Sequence, residues 1–91
     1  MKRLSIHEAD EIRKDGLDLS GKHLQLRVFH RIDLTKVKTI FEEGEMYQEG
    51  KIKFRAVYRF GDITGFIIFE RRHGTNVLKT VGKTHGKTRW G

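Results

Sequence analysis

Three side chains suited to phosphoryl chemistry recur every four residues in the first half of the chain: His23, Arg27 and Arg31. We call them the His-Arg-Arg run. RNA cleavage without a metal needs a base for the 2′-OH proton, an acid for the leaving oxygen and a cation for the charge on phosphorus. Histidine can take either proton role near neutral pH, and arginine grips two phosphate oxygens. The run therefore predicts His23 as base or acid, with Arg27 and Arg31 as phosphate clamps.

Residues 22–32, which carry this run, fit two secondary structures. Their apolar residues alternate as in a strand, yet they also form a helical stripe for which Ser20 is a fair N-cap. Either geometry gathers the run on one face. The alternative to a catalytic role is that His23, Arg27 and Arg31 are solvated polar side chains on an amphipathic element. His30 and His85 are the alternative histidines if the element is a strand turned the other way.

A sheet is predicted for residues 51–81. Apolar and cationic residues alternate from Ile52 to Phe60, which gives a strand with one apolar and one basic face. Gly61 and Asp62 mark a turn, after which residues 63–69 are apolar on both faces, as in a central strand. A third short strand covers residues 77–81. The pattern is typical of a three-stranded antiparallel meander.

Two helices are predicted before this sheet. Ser5 and Glu8 have the spacing of a capping box, which starts a helix that ends at Gly16. A second helix, from Leu34 to Glu43, ends at Gly44 and follows Asp33 as N-cap. The predicted fold class is α+β, with two or three N-terminal helices packed on a three- to four-stranded antiparallel meander sheet. Residues 1–82 form a single compact domain in this interpretation, and residues 83–91 form a basic flexible C-terminal tail.

The net charge of +7 is unevenly distributed along the 91 residues. Residues 1–50 carry nine Lys/Arg and ten Asp/Glu, whereas residues 51–91 carry ten Lys/Arg and two Asp/Glu. A one-sided basic field is the footprint of a phosphate-backbone partner. The alternative is a solvated sheet face. The chain has no cysteine and no long apolar run, so we expect a cytoplasmic protein without a membrane span.

The same charge pattern predicts a nucleic-acid-binding surface on the sheet and tail. A glutamate cluster at residues 42–49 is interpreted as solvated surface, so no metal site and no cofactor are predicted. The repeated Gly-Lys-Thr of the tail lacks the earlier glycine of a phosphate loop, and Trp90 could instead stack on a base. The candidate nucleic-acid-binding residues are Lys22, Lys51, Lys53, Arg55, Arg59, Arg71, Arg72, Lys83, Lys87, Arg89 and Trp90.

Residues 20–82 resemble a known family. A His-x3-Arg-x3-Arg run, a helix with an aspartate cap that ends in glycine, and three strands follow one another, the strands carrying FRAVYR, FIIF and LKTV. This order is similar to that of the small colicin D/RelE-like microbial ribonucleases, which include toxin-like members. The N-terminal helix and the basic tail lie outside the family pattern. The resemblance implies a metal-independent endoribonuclease of toxin type, with a cyclic phosphate product and Thr80 as an active-site contact.

Two other functions compete with this one. A non-catalytic nucleic-acid-binding module would use the same cations, and a small mobile-element protein would act through protein–protein contacts. A toxin-type enzyme would act on RNA rather than DNA and predicts an acidic antitoxin or immunity protein as partner. Thr80 is equally well explained as a strand-forming residue.

Overall fold

The computed structural model describes residues 1–19 and 34–85. Two helices are present in these ranges, α1 (Ile6–Arg13) and α2 (Leu34–Glu43). The strands are β1 (Lys2–Arg3), β2 (Leu17–Asp18), β3 (Glu45–Gln48), β4 (Lys53–Phe60), β5 (Ile63–Arg72) and β6 (Thr75–His85). Neither helix of the described ranges is long and apolar enough to cross a membrane.

The strands form one mixed sheet in the order β1-β3-β4-β5-β6-β2. The long strands β4, β5 and β6 pair antiparallel, as the alternation of residues 51–81 predicts. At one edge β1 adds antiparallel to β3, and at the other edge β2 adds parallel to β6. Both edge strands have only two residues.

Both helices pack on the same face of the sheet. Ala9 and Ile12 of α1 and Val37, Ile40 and Phe41 of α2 belong to one buried cluster with the inward side chains of the sheet. Phe69 lies at the centre of this core, where it stacks on Phe54 with the ring centroids 5.7 Å apart and meets the edge of Phe41 at 5.5 Å. The core therefore joins the two helices to β4 and β5.

Helix α1 begins with the predicted capping box. The Ser5 backbone N–H donates to the Glu8 carboxylate at 3.0 Å, and the Glu8 N–H donates to the Ser5 hydroxyl at 3.2 Å. The bond from the Ser5 backbone is the main cause that lowers the pKa of Glu8. Arg13 ends this helix and donates to the carbonyl oxygens of Phe41 and Gly44, at 3.0 and 2.7 Å. One guanidinium thereby satisfies a carbonyl in the last turn of α2 and another just after the helix, and it ties the two helices together.

A β-bulge interrupts the pairing of β5 with β6. Ile68 pairs with Thr80, but Phe69 pairs with Leu78, so β6 has one extra residue, Lys79. Leu78 and Val81 are three residues apart, and both are buried in the core because of this insertion. The bulge also exchanges the faces of every later residue of β6.

A buried polar network fixes the end of α1 on β5 and β6. The Asn76 side chain is fully buried; its amide nitrogen donates to the carbonyls of Ile12 and Gly16, at 2.8 and 2.7 Å. Its amide oxygen accepts a bond of 2.7 Å from Arg71, whose guanidinium also reaches Asp15 at 2.8 Å. These bonds hold the turn at Gly16, where φ is +69°, and so place β2 beside β6.

The predicted fold class is wrong in its sheet, and strands rather than helices predominate in the described residues. The expectation was two or three helices on a three- to four-stranded antiparallel meander, and the described residues form two helices and a six-stranded mixed sheet. Two-residue strands have no visible periodicity, and the parallel pairing of β2 depends on the distant Asn76. Strand β6 also runs on to His85, so Lys83 and Thr84 belong to the sheet rather than to the predicted tail.

Replacement of Arg71 by alanine should lower the free energy of unfolding by about 1–3 kcal/mol, because the buried Asn76 oxygen loses its donor. The matched control is Arg72→Ala, which removes the same charge from the neighbouring residue. Arg72 is exposed and pairs with Glu70, so its loss should cost less than about 0.5 kcal/mol. Urea denaturation followed by circular dichroism measures both. Equal losses in the two variants would show that the network does not hold α1.

Candidate nucleic-acid interface

We call the sheet face turned away from α1 and α2 the outer face. The register assigns to it the odd-numbered residues 53–59 of β4 and the even-numbered residues 64–72 of β5. Beyond the bulge it carries Thr80, Gly82 and Thr84 of β6. The basic face predicted for residues 51–60 is this outer face, and its apolar member Val57 is buried.

Carboxylates neutralise many cations at one end of the sheet, where β4 begins and β5 ends. Glu49 pairs with Arg55 and lies 3.9 Å from Lys53. Glu70 pairs with Arg72 at 2.9 Å and lies 4.0 Å from Lys79. Four cations at this end thus share two carboxylates within the described residues, which reduces the charge they offer to phosphate.

The opposite end of the sheet carries cations that include two without an ion pair in the described residues. Arg59 lies at the end of β4, Lys83 near the end of β6, and the ammonium of Lys36 is 5.7 Å from the centre of the Phe60 ring. We call Lys36, Arg59 and Lys83 the basic end. Arg59 donates through Nε to the Gly61 carbonyl at 2.9 Å, and neither Arg59 nor Lys83 forms an ion pair in the described part of the chain. Asp62 is the carboxylate in the adjoining turn.

Phe66 lies flat on the outer face and shields the sheet from above. A Cβ atom built on Gly82 would lie 2.7 Å from Cε1 of Phe66 and would also collide with Cζ, so the ring covers the Gly82 backbone. The Arg55 guanidinium carbon lies 5.2 Å from the centre of the same ring. Glu49, Arg55 and Phe66 are thereby linked in one arrangement, in which a charge pair is joined to a cation–π contact.

On the outer face of β3, next to the edge strand β1, Tyr47 is buried and its hydroxyl donates to Glu45 at 2.7 Å. Burial raises the pKa of Tyr47, and the hydrogen bond to Glu45 raises it further. Glu45 also pairs with Arg3 of β1 at 3.2 Å, so this polar contact secures the short edge strand.

The structure separates the predicted nucleic-acid-binding residues into groups. Arg71 donates hydrogen bonds to Asp15 and Asn76 within the fold. Lys53, Arg55 and Arg72 have carboxylate partners, and Lys51 is exposed in the turn before β4. Arg59 and Lys83 lie at the basic end. Lys22, Lys87, Arg89 and Trp90 lie outside the described residues.

The predicted catalytic residues divide in the same way. His23, Arg27 and Arg31 lie outside the described residues, and so does the alternative histidine His30. Thr80 is half-buried on the outer face, in the row Arg55–Ile68–Thr80 across three strands. Two strand spacings separate the backbones of Arg55 and Thr80, which is about 10 Å.

Acidic residues 42–49 do not assemble a metal centre in the structure. No group of three or more His, Cys, Asp or Glu side chains within residues 1–19 and 34–85 is arranged to hold a metal ion. Glu45 and Glu49 instead form the ion pairs with Arg3 and Arg55.

Comparisons of the chain with protein-family models, with characterised proteins and with solved structures found no match. The similarity to colicin D/RelE-like ribonucleases therefore stays a prediction.

Two polar residues of the outer face received no role from the sequence. The hydroxyl oxygens of Thr64 and Thr84 are buried and have no hydrogen-bond partner among residues 1–19 and 34–85. Thr64 is 1% exposed, and the two residues pair directly across β5 and β6. Threonine is a common strand residue, and only the bulge in β6 places Thr84 on the same face as Thr64, so the pattern gave no signal for either.

Gly82→Ala should destabilise the chain by about 1–3 kcal/mol, because the added methyl group displaces the Phe66 ring. The matched control is Gly50→Ala, whose Cβ would meet only the Cβ of Lys53 at 3.8 Å and should change little. In a double-mutant cycle, Phe66→Leu should recover part of the loss in Gly82→Ala. Additive effects in urea unfolding would contradict the close packing of the ring on Gly82.

Tyr47 should make the fold sensitive to alkaline pH. Its pKa is raised in the folded state, so the contribution of the neutral phenol is complete below the unfolded pKa of about 10 and is lost as pH rises through the higher folded value. Thermal unfolding between pH 8 and 11 should show a fall in stability that is smaller in Tyr47→Phe. An identical fall in both proteins would assign the alkaline transition to other groups.

Proposed function

We propose that this chain is a cytoplasmic RNA-binding domain that engages the phosphate backbone at the basic end of its sheet. The observation that carries the proposal is the position of Arg59 and Lys83 at the same end of the sheet, Arg59 on the outer face and Lys83 on the helix side. Both are exposed and lack an ion pair in the described residues, whereas Arg55 and Arg72 pair with carboxylates. Cations already held by carboxylates lose part of that pairing on binding a phosphate, and unpaired cations do not.

The position of the basic end in the chain adds to this argument. Strand β6 ends there at His85, and the sequence continues with Lys87, Arg89 and Trp90. Phe60 and Tyr58 lie at this end on the helix side, as Lys83 does, with ring centroids 4.8 Å apart; both pack against the core and are only partly buried. Cations beside partly exposed aromatic rings are the combination that single-stranded nucleic acids bind by charge and stacking.

Metal-independent cleavage of the bound RNA is a second candidate function. It is favoured by the His-Arg-Arg run in the sequence and by Thr80, which shares the outer face with Arg55 and Arg59. In this mechanism the 2′ oxygen attacks the phosphorus, the 5′ oxygen leaves, and a 2′,3′-cyclic phosphate remains. An acidic antitoxin or immunity protein would then be the natural inhibitor, since it complements the positive surface.

Binding is tested with a short fluorescent single-stranded RNA by anisotropy over a range of salt concentrations. Arg59→Ala/Lys83→Ala should weaken binding and reduce the slope of log K against log salt by about 1.4, at about 0.7 per lost contact. The matched control is Lys38→Ala/Lys51→Ala, which removes two exposed cations away from the basic end. Equal weakening in both double variants would contradict a localised site, and salt-independent binding would contradict a phosphate contact.

Cleavage is tested on total RNA in EDTA, with wild type beside His23→Ala. Discrete fragments that end in cyclic phosphate, and that are lost in His23→Ala while affinity is kept, would establish the enzyme. Intact RNA together with salt-sensitive binding would leave the binding function alone. The same oligonucleotide as DNA shows whether the chain prefers RNA.

A further inference from the structure

We propose that Arg59, Thr64 and Thr84 form a subsite for one phosphate group on the outer face. The inference rests on the proposed function and names the place where a phosphate of the bound strand is held. The three residues form a single row across three adjacent strands, since Arg59 pairs with Thr64 and Thr64 pairs with Thr84. Their side chains therefore stand next to one another on the same face.

Two buried threonine hydroxyls point to this subsite. A buried polar atom is nearly always hydrogen-bonded in a folded protein, and an unpaired one costs stability. Both oxygens are buried without a partner in the part of the chain that the structure describes, although each hydroxyl can donate one bond and accept others. The fold bears this cost at two adjacent positions, and an oxyanion is a ligand that would satisfy both donors.

Arg59 makes the row specific for an anion. Its Nε is bound to the Gly61 carbonyl, and its two terminal nitrogens have no partner in the described residues. A guanidinium and two hydroxyls can bind three oxygens of a phosphate in the manner that charge-assisted hydrogen bonds favour. The hydroxyls are closed to water in this state, so entry requires movement of a neighbour. Arg59 is exposed and held by a single hydrogen bond, which makes it the side chain of the row that is free to move.

The bulge in β6 makes this row possible. With regular alternation from Leu78 onward, Lys83 would face outward and Thr84 would face the helices. The extra Lys79 reverses these orientations, so Thr84 joins Thr64 while Lys83 lies on the helix side. The row therefore contains no lysine. Arg59, on β4 at one end of the row, is the cation that would bind the phosphate beside the two hydroxyls.

Thr64→Val tests the subsite because it removes the hydroxyl and keeps the shape. The variant should unfold at the same or a slightly higher urea concentration, since no hydrogen bond of the folded chain is lost. Its affinity for the single-stranded RNA should fall about tenfold, as expected for the loss of a hydrogen bond to a charged group. Thr64→Ser, which keeps the hydroxyl, should recover most of that loss, and Thr84→Val gives an independent second measurement.

Inorganic phosphate is the second probe and does not require RNA binding. In two-dimensional NMR of the full chain, the amide signals of Thr64 and Thr84 should shift on titration with phosphate at constant ionic strength, and not in Thr64→Val or Arg59→Ala. Unchanged RNA affinity in both valine variants, with loss only in Arg59→Ala, would overturn the subsite and leave the proposed function in place. Phosphate-dependent shifts without any RNA binding would support the subsite and overturn the proposed function.

Discussion

The single extra residue in β6 determines what each face of the sheet can do. If the bulge at Lys79 were absent, Leu78 and Val81 would point to opposite faces of the sheet. One of these two residues, which are now both buried in the core, would then lie on the outer face. Because side chains in a strand alternate with a period of two, a one-residue insertion reverses the assignment of all that follows. The same bulge fills the core beneath Phe69 and places Thr84 beside Thr64. Core packing and the candidate site are therefore consequences of one backbone irregularity.

How far the sequence predicts this structure depends on the range of the interaction. The capping box at Ser5 and the bounds of α2 are local signals, and both are confirmed. The alternation of residues 53–60 correctly separates the core face from the outer face of β4. Ile52 is an exception: it was assigned to the apolar face, but it precedes the strand and is 38% exposed.

The failures involve contacts between residues that are distant in the chain. Residues 17 and 18 join the sheet because Asn76 and Arg71 bind the end of α1, and nothing within two residues can signal such a partner. Arg71 looked like its neighbour Arg72 in the sequence, and only the fold distinguishes a guanidinium that satisfies a buried amide from one on the surface. The ion pairs of Glu49 and Glu70 are a second case that the sequence did not reveal. They neutralise cations at one end of the predicted basic face, which leaves the basic end as the candidate site.

The two ends of β6 show how this small chain divides stability from recognition. Near its start, Asn76 is fully buried and both atoms of its amide are hydrogen-bonded, to Ile12, Gly16 and Arg71. Near its end, the hydroxyl oxygens of the half-buried Thr84 and the buried Thr64 are both shielded from solvent. Among the described residues, these hydroxyls have no hydrogen-bond partner, and Arg59 and Lys83 lack ion pairs. Selection for stability alone would favour valine at positions 64 and 84, since an unpaired buried hydroxyl only costs free energy. A local cost of this kind, next to unpaired cations and at the end of the sheet where the basic tail begins, is the pattern expected where a ligand completes the hydrogen bonds.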